Sequence, residues 1–316
     1  MKNQEKIFVI GHKNPDTDSI CSAIAYCDIK NRTTQESRYI PKRAGQINEE
    51  TEYVLNRFGV HPPGYLSNIG TQVKDMDIRL SPEANKSMSL KNAWDLMQEN
   101  SIVSLPIREK DGTLEGLITI GDIAKTYMDT TDSYLLSRAR TQYQRIAETI
   151  GGKVIEGNAH GYFIQGKIMV ATANPDKMKE YVEENDMVIM GNREEDHLQA
   201  IEQNVSCIIV GMGIEVTEKV LKLAHEKDIV IISSPYDTFT ISRLINQSIP
   251  VKYIMKTDNL VTFNTEDFTD DIQNEMIKHR HRAFPVINKK GKCIGTISRR
   301  NFLDMHKKKV ALVDHN

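Results

Sequence analysis

The sequence predicts an α/β protein: part of a doubly wound domain, interrupted by two copies of a small helix-strand-strand-helix module that flank a further α/β unit. Three observations lead there. The N-terminal segment runs strand, loop, helix and then strand, turn, helix. The stretch from Leu105 to Asp122 aligns without gaps onto Phe284 to Asn301, at a constant offset of 179 residues. Between the two copies, short apolar runs alternate with amphipathic helix patterns. A chain of 316 residues has room for several such units.

Each element has a local cause. Ile7-Phe8-Val9-Ile10 is a short apolar run, and Gly11 to Asp18 is rich in turn formers. From Ser19 to Arg32 apolar residues recur at helical spacing, with Asp18 or Ser19 expected to cap the helix. Residues 38–58 give a strand, a turn around Gly45 and a second helix. After His61-Pro62-Pro63-Gly64 the repeat begins. Gly112 matches Gly291, Gly116 matches Gly295, Thr119 matches Ser298 and Asp122 matches Asn301. Amphipathic helix patterns at 92–100 and 270–280 precede the copies, so each reads helix, strand, turn, strand, helix. Between them, 167–172, 187–190, 207–211 and 229–234 read as strands and 194–204 and 215–227 as helices. Gly211-Met212-Gly213 follows a strand, which is a weak phosphate signal or simply a tight turn. The final Val310-Ala311-Leu312-Val313 is a continuous apolar run, as in a buried parallel strand, followed by Asp314-His315-Asn316.

Composition excludes some classes. The formal net charge is −2, which gives no electrostatic reason for nucleic acid or a membrane as partner. No apolar run is long enough to span a bilayer, and the N-terminus lacks a signal-peptide pattern. The expected location is cytoplasmic. Cys21, Cys27, Cys207 and Cys293 form no CxxC pair and read as small buried residues in a reducing compartment.

The loop after the first strand places His12, Asp16 and Asp18 within seven residues. Imidazole with carboxylates, and no thiolate, suits Mn²⁺, Fe²⁺ or Mg²⁺-like ions. The helix N-terminus that follows adds N–H groups and a favourable dipole for an anion. The alternative is a plain turn and cap with His12 on the surface. Asp314, at the end of another strand, weighs against that, because doubly wound sheets carry chemistry at the carboxyl ends of their strands.

Residues 11–26, GHKNPDTDSICSAIAY, resemble the opening motif of the family II inorganic pyrophosphatases of the DHH phosphoesterase superfamily. Residues 42–55 resemble the next segment of that family, and VALVDHN at 310–316 resembles its second motif. The resemblance implies one metal on His12, Asp16 and Asp314 and a second on Asp18 and Asp314. It implies catalytic roles for Asp16 and His315. Mn²⁺ or Co²⁺ would fill the dinuclear site and Mg²⁺ would accompany pyrophosphate. A bridging water would then be deprotonated and attack phosphorus in line. The repeated module resembles a pair of CBS domains, which implies a βαββα order for each copy, and the unit between them resembles an α/β DRTGG domain, the insert carried by one pyrophosphatase subgroup. The implied order is a DHH part at 1–65, CBS at 66–128, DRTGG at 129–246, CBS at 247–306 and the resumed DHH part at 307–316. The family's Asp-His-His motif, its remaining Asp ligand and its C-terminal substrate-binding domain do not occur in these residues. The expectation is a truncated chain with little activity alone.

CBS pairs commonly bind adenine nucleotides, and the resemblance implies AMP, ADP, ATP or diadenosine polyphosphates as regulators. A nucleotide needs a ribose-binding carboxylate, a hydroxyl near the phosphates and cations for charge. The first copy offers Thr119 and Asp122, the second Ser298 and Asn301. Arg280, His281 and Arg282 precede the second copy's first strand, and Arg299 lies beside Ser298. The phosphates are therefore expected on the second copy. The alternative is a strand-to-helix cap and a solvated face of arginines. CBS pairs usually assemble face to face, so a homodimer is expected. Two other functional readings are a nucleotide sensor without catalysis and a DHH phosphodiesterase.

Overall fold

The computed structural model describes residues 6–35, 37–66, 70–128, 132–171, 175–279, 281–302 and 309–313. In chain order, β1 (Ile7–Ile10), α1 (Thr17–Thr34), β2 (Tyr39–Arg43), α2 (Glu49–Arg57) and β3 (Gly64–Tyr65) come first. The first module follows: β4 (Arg79–Leu80), α3 (Leu90–Glu99), β5 (Ser104–Arg108), β6 (Leu114–Thr119) and α4 (Ile120–Met128). The middle unit holds α5 (Leu135–Arg138), β7 (Thr141–Gln142), α6 (Tyr143–Thr149), β8 (Lys153–Glu156), β9 (Tyr162–Phe163) and β10 (Ile168–Val170). It continues with α7 (Pro175–Tyr181), β11 (Met187–Met190), α8 (Glu194–Glu202), β12 (Cys207–Val210), α9 (Glu218–Glu226), β13 (Val230–Ser233) and α10 (Thr238–Leu244). Then come β14 (Phe263–Asn264), α11 (Thr269–Lys278), β15 (Phe284–Ile287), β16 (Cys293–Ile297) and β17 (Lys309–Leu312).

The chain divides into two units. One contains a parallel sheet in the order β17-β1-β2-β3. Strand order reverses at β1: β2 and β3 lie to one side, and β17 returns on the other with Ile10 opposite Leu312. The Val313 N–H donates to the Ile10 carbonyl at 2.9 Å, continuing the ladder past the strand. Such a reversal leaves a crevice at the carboxyl ends of the two strands. Val9, Ala23 and Cys27 form the buried centre, packed by Tyr26, Tyr39, Ala311 and Val313. The expected burial of the last strand is corrected: β17 is the edge of this sheet among the described residues, and Leu312 is 66% exposed.

In the other unit, β10, β11, β12 and β13 are parallel, and β8 closes the edge antiparallel to β13. β11 and β12 are wholly buried, which explains their unbroken apolar sequences. One face packs Val188, Met190, Ile208 and Val210 on Ala200, Ile201, Val220 and Ala224. The other packs Ile189, Ile209 and Ile232 into a cluster with Leu105, Ile107 and Ile118 of the first module. Each side chain of this size buried contributes about 1.5–3 kcal/mol, so first module and middle unit share one core.

The repeat offset reappears in the pairing. Leu117 and Lys256 exchange backbone hydrogen bonds at 2.9 Å, and Thr296, the counterpart of Leu117, pairs with Arg79. Each hairpin thus takes its neighbour from the segment before the other copy. The hairpin turns also meet, the Cys293 N–H donating to the Gly112 carbonyl at 3.0 Å. The second copy departs from the first at its end. Arg299–Phe302 is a 3-10 turn where a helix was expected, and 303–308 lie outside the described residues.

Candidate functional site

The loop between β1 and α1 is built by close packing. A Cβ on Gly11 would lie 1.8 Å from the Ser19 hydroxyl, and one on Gly45 would lie 2.3 Å from the Lys13 carbonyl and 2.6 Å from Pro15 Cδ. Both glycines are therefore required for backbone to approach this closely. The Arg43 guanidinium donates to the Gly45 and Pro63 carbonyls at 2.6 and 3.1 Å and fixes the turn behind the loop. α1 starts at Thr17, so its cap is Asp16, correcting the expected Asp18 or Ser19. Asp16 Oδ1 accepts the Ser19 N–H at 2.9 Å. Asp18 sits in the first turn, where a carboxylate faces the positive end of the helix.

His12 Nε2 lies 3.5 Å from Asp16 Oδ1. Asp16, Thr17, Asp18, Cys21 and Glu50 line a polar cleft of about 380 Å³. Among the described residues no three His, Cys, Asp or Glu side chains converge as a metal-binding group. The donor set is nevertheless the kind a hard divalent ion takes, and the buried Ser19 hydroxyl is without a hydrogen-bond partner beneath the loop. The residues present fit such an ion. Asp314 and His315 lie outside the described residues. Cys21 and Glu50 were not foreseen here. Cys21 is half-buried rather than buried, its thiol pushed up by desolvation and by Asp18. One turn separates it from Asp18, and that helical spacing was the available signal.

The candidate nucleotide residues fall in both units. In one, the Thr119 N–H and hydroxyl donate to Asp122 Oδ2 at 2.9 and 2.6 Å, a reciprocal cap at the start of α4. Lys256 Nζ approaches Asp122 Oδ1 at 3.5 Å. Arg282 is exposed. In the other unit the Ser298 N–H and hydroxyl donate to Asn301 Oδ1 at 2.7 and 2.8 Å, and Asn301 Nδ2 donates to the Asp77 carbonyl at 2.7 Å. Arg299 donates to the Met276 and His279 carbonyls, each at 2.6 Å, so it caps the C-terminus of α11. The His279 and His281 rings stand 5.7 Å apart, and Lys278 and His279 hold the Glu275 carboxyl below its ordinary range. Arg280 lies outside the described residues. Lys256 was not foreseen, although the repeat offset makes it the counterpart of Asp77 as it makes Asp122 the counterpart of Asn301. Gly211-Met212-Gly213 is a tight turn: the Met212 and Gly213 N–H groups donate to the Tyr236 and Ser234 carbonyls at 2.7 and 2.8 Å.

Family models match both copies of the repeated module and the segment between them. A DRTGG domain model matches 145–248, and a CBS domain model matches 77–129 and 251–307. The cobalt-dependent inorganic pyrophosphatase of Clostridium perfringens is 38% identical over 99% of this chain and 57% of its own length. The probable manganese-dependent inorganic pyrophosphatase of Thermotoga maritima is 29% identical over 100% of this chain and 57% of its own length. The chain thus spans a little over half the length of these relatives. A crystal structure of the CBS and DRTGG domains of the regulatory region of the Clostridium perfringens pyrophosphatase, complexed with the activator diadenosine tetraphosphate, matches with a TM-score of 0.69 and 34% identity. It covers 72% of this chain and is itself covered completely.

Proposed function

The chain belongs to the inorganic pyrophosphatases that carry CBS and DRTGG domains, and from that membership we propose metal-dependent pyrophosphate hydrolysis regulated by adenine nucleotides. The observation that carries the proposal is the strand reversal at β1. The register of Ile10 with Leu312 supports a site made from the two segments that follow these strands. His12, Asp16 and Asp18, with Asp314 from the second segment, would hold Mn²⁺ or Co²⁺. When bound, such a pair supplies a hydroxide at neutral pH and offsets charge on phosphate oxygens. The chain's own residues set the geometry. The Ser19 N–H fixes one Asp16 oxygen, and packing of Gly11 and Gly45 fixes the loop. Asp16 and His315 are the proposed proton-handling groups, and Mg²⁺ would enter with pyrophosphate.

Thr119, Asp122, Ser298 and Asn301 are the proposed ribose and phosphate-side contacts, with Arg280, His281 and Arg282 supplying positive charge. Arg299 acts through the end of α11. AMP, ADP, ATP and diadenosine polyphosphates share the chemistry these groups recognise. A homodimer is proposed through the first module, where Leu90, Trp94, Ile120, Ile123 and Tyr127 line an apolar groove of about 310 Å³. The proposed location is the cytoplasm.

The test measures phosphate release from pyrophosphate with Mn²⁺ or Co²⁺. It uses this chain alone and this chain joined to the segment of the Clostridium perfringens relative that lies outside the match. The joined protein is expected to turn over and the chain alone to do so only weakly. A folded joined protein with no metal-dependent release would overturn the proposal.

A further inference from the structure

The first turn of α2 reaches the start of α1 through a chain of hydrogen bonds. Asn48 caps α2, its Oδ1 accepting from the Thr51 N–H at 2.8 Å and from the Thr51 hydroxyl at 2.7 Å. Thr51 is fully buried. Its hydroxyl also stands 3.1 Å from the Thr17 hydroxyl. Thr51 spends its proton on Asn48, so Thr17 is the donor of the last bond. Thr17 lies between Asp16 and Asp18, the two carboxylates of the site. The relay therefore holds the residue from which both ligands branch. Glu50, adjacent to Thr51, lines the same cleft as Asp16 and Asp18.

We infer that Thr51 is a positioning residue for the metal site, acting through Thr17 to fix Asp16 and Asp18 for a divalent ion. The inference rests on the assignment of His12, Asp16 and Asp18 as metal ligands. A buried hydroxyl that accepts one bond and donates another sets direction as well as distance, and rigid support of ligands raises affinity without any contact to the ion. Packing alone cannot account for the arrangement, because valine would fill the same space without either bond.

The experiment titrates the full 316-residue chain with Mn²⁺ and reads free Mn²⁺ by electron paramagnetic resonance, with the melting temperature as a second readout. Thr51→Val is expected to weaken Mn²⁺ binding about tenfold, in the range found for groups that orient ligands. Thr51→Ser, which keeps the hydroxyl, restores binding to near the parent value. Thr17→Val matches Thr51→Val, and the double variant is no weaker than either single one. Unchanged binding in a folded Thr51→Val protein overturns the inference while leaving the ligand assignment intact. Equal weakening in Thr51→Val and Thr51→Ser overturns it too, since the effect would then follow packing. If the parent chain binds no Mn²⁺ while Thr51→Val melts as the parent does, the ligand assignment fails and the inference with it.

Discussion

Lys256 Nζ lies 3.5 Å from the Asp122 carboxylate, joining the segment before the second module to the first helix turn after the first hairpin. Asp122 is mostly buried and Lys256 is largely exposed, so the pair is screened and adds little stability by itself. It holds a carboxylate at the position proposed for a ribose hydroxyl. Asp122→Asn is expected to keep the cap, since its amide oxygen still accepts from Thr119. It removes the charge and should weaken AMP binding about tenfold, the size of a charge-assisted bond of roughly 1.5 kcal/mol. Calorimetric titration checks this; unchanged affinity would remove Asp122 from the site.

Gly11 is required by space rather than by backbone angle. A Cβ there would meet the Ser19 hydroxyl at 1.8 Å, Ser19 Cβ at 3.0 Å and the Ser19 carbonyl at 3.3 Å. Gly11→Ala should destabilise the unit that contains β1 by about 1–3 kcal/mol, and Gly11→Ala with Ser19→Gly should recover most of that. Ser19→Ala alone removes a buried hydroxyl without a hydrogen-bond partner and should be near neutral. Urea unfolding of the four proteins decides; a double variant no more stable than Gly11→Ala would show that the clash is not with Ser19.

The cysteines report on the cleft. Burial pushes the Cys27 thiol up to about 11 and raises Cys207 and Cys293 as well. Cys21 is the half-buried one and lines the cleft with Asp16 and Asp18. Ellman's reagent should therefore modify Cys21 first in the native protein, and Mn²⁺ should slow that step. Peptide mapping identifies the site. Equal rates with and without Mn²⁺ would separate the metal from this cleft.

His225 and Glu156 supply a pH signature in the other unit. His225 Nδ1 lies 3.0 Å from Glu156 Oε1, and that bond raises the imidazole above its ordinary value of 6.5. The folded value is the higher one, so the stability contributed is complete below 6.5 and is lost as pH rises through the raised value. His225→Gln should flatten the dependence of melting temperature on pH above 6.5 and leave the alkaline end unchanged. A curve parallel to that of the parent protein would dismiss the pair.

The sequence made some of this legible and concealed the rest for identifiable reasons. The runs at 187–190 and 207–210 were readable because strands buried on both faces are continuously apolar. β8 was not read, yet Gly151-Gly152 and Gly157 bound its four residues and could have marked it. The cap of α1 was misplaced by two or three residues because Asp16, Asp18 and Ser19 are all good caps, and only the bond from the Ser19 N–H to Asp16 Oδ1 marks where the helix begins. The loop candidates His12, Asp16 and Asp18 could be named from chemistry and spacing. Thr51 and Lys256 could not, since each matters through a partner far away in sequence, Thr17 and Asp122. Arg299 looked like a phosphate contact from its neighbours, whereas its guanidinium reaches the carbonyl end of α11.

As proposed, this chain joins a loop that would hold a divalent metal to a region that would bind adenine nucleotides. Calorimetric titration of the 316-residue chain with diadenosine tetraphosphate, repeated with AMP, tests it most directly. Saturable binding of both is expected, weakened in Asp122→Asn and unaffected by Asp18→Asn in the loop. A folded chain that gives no binding heat with either ligand would contradict it.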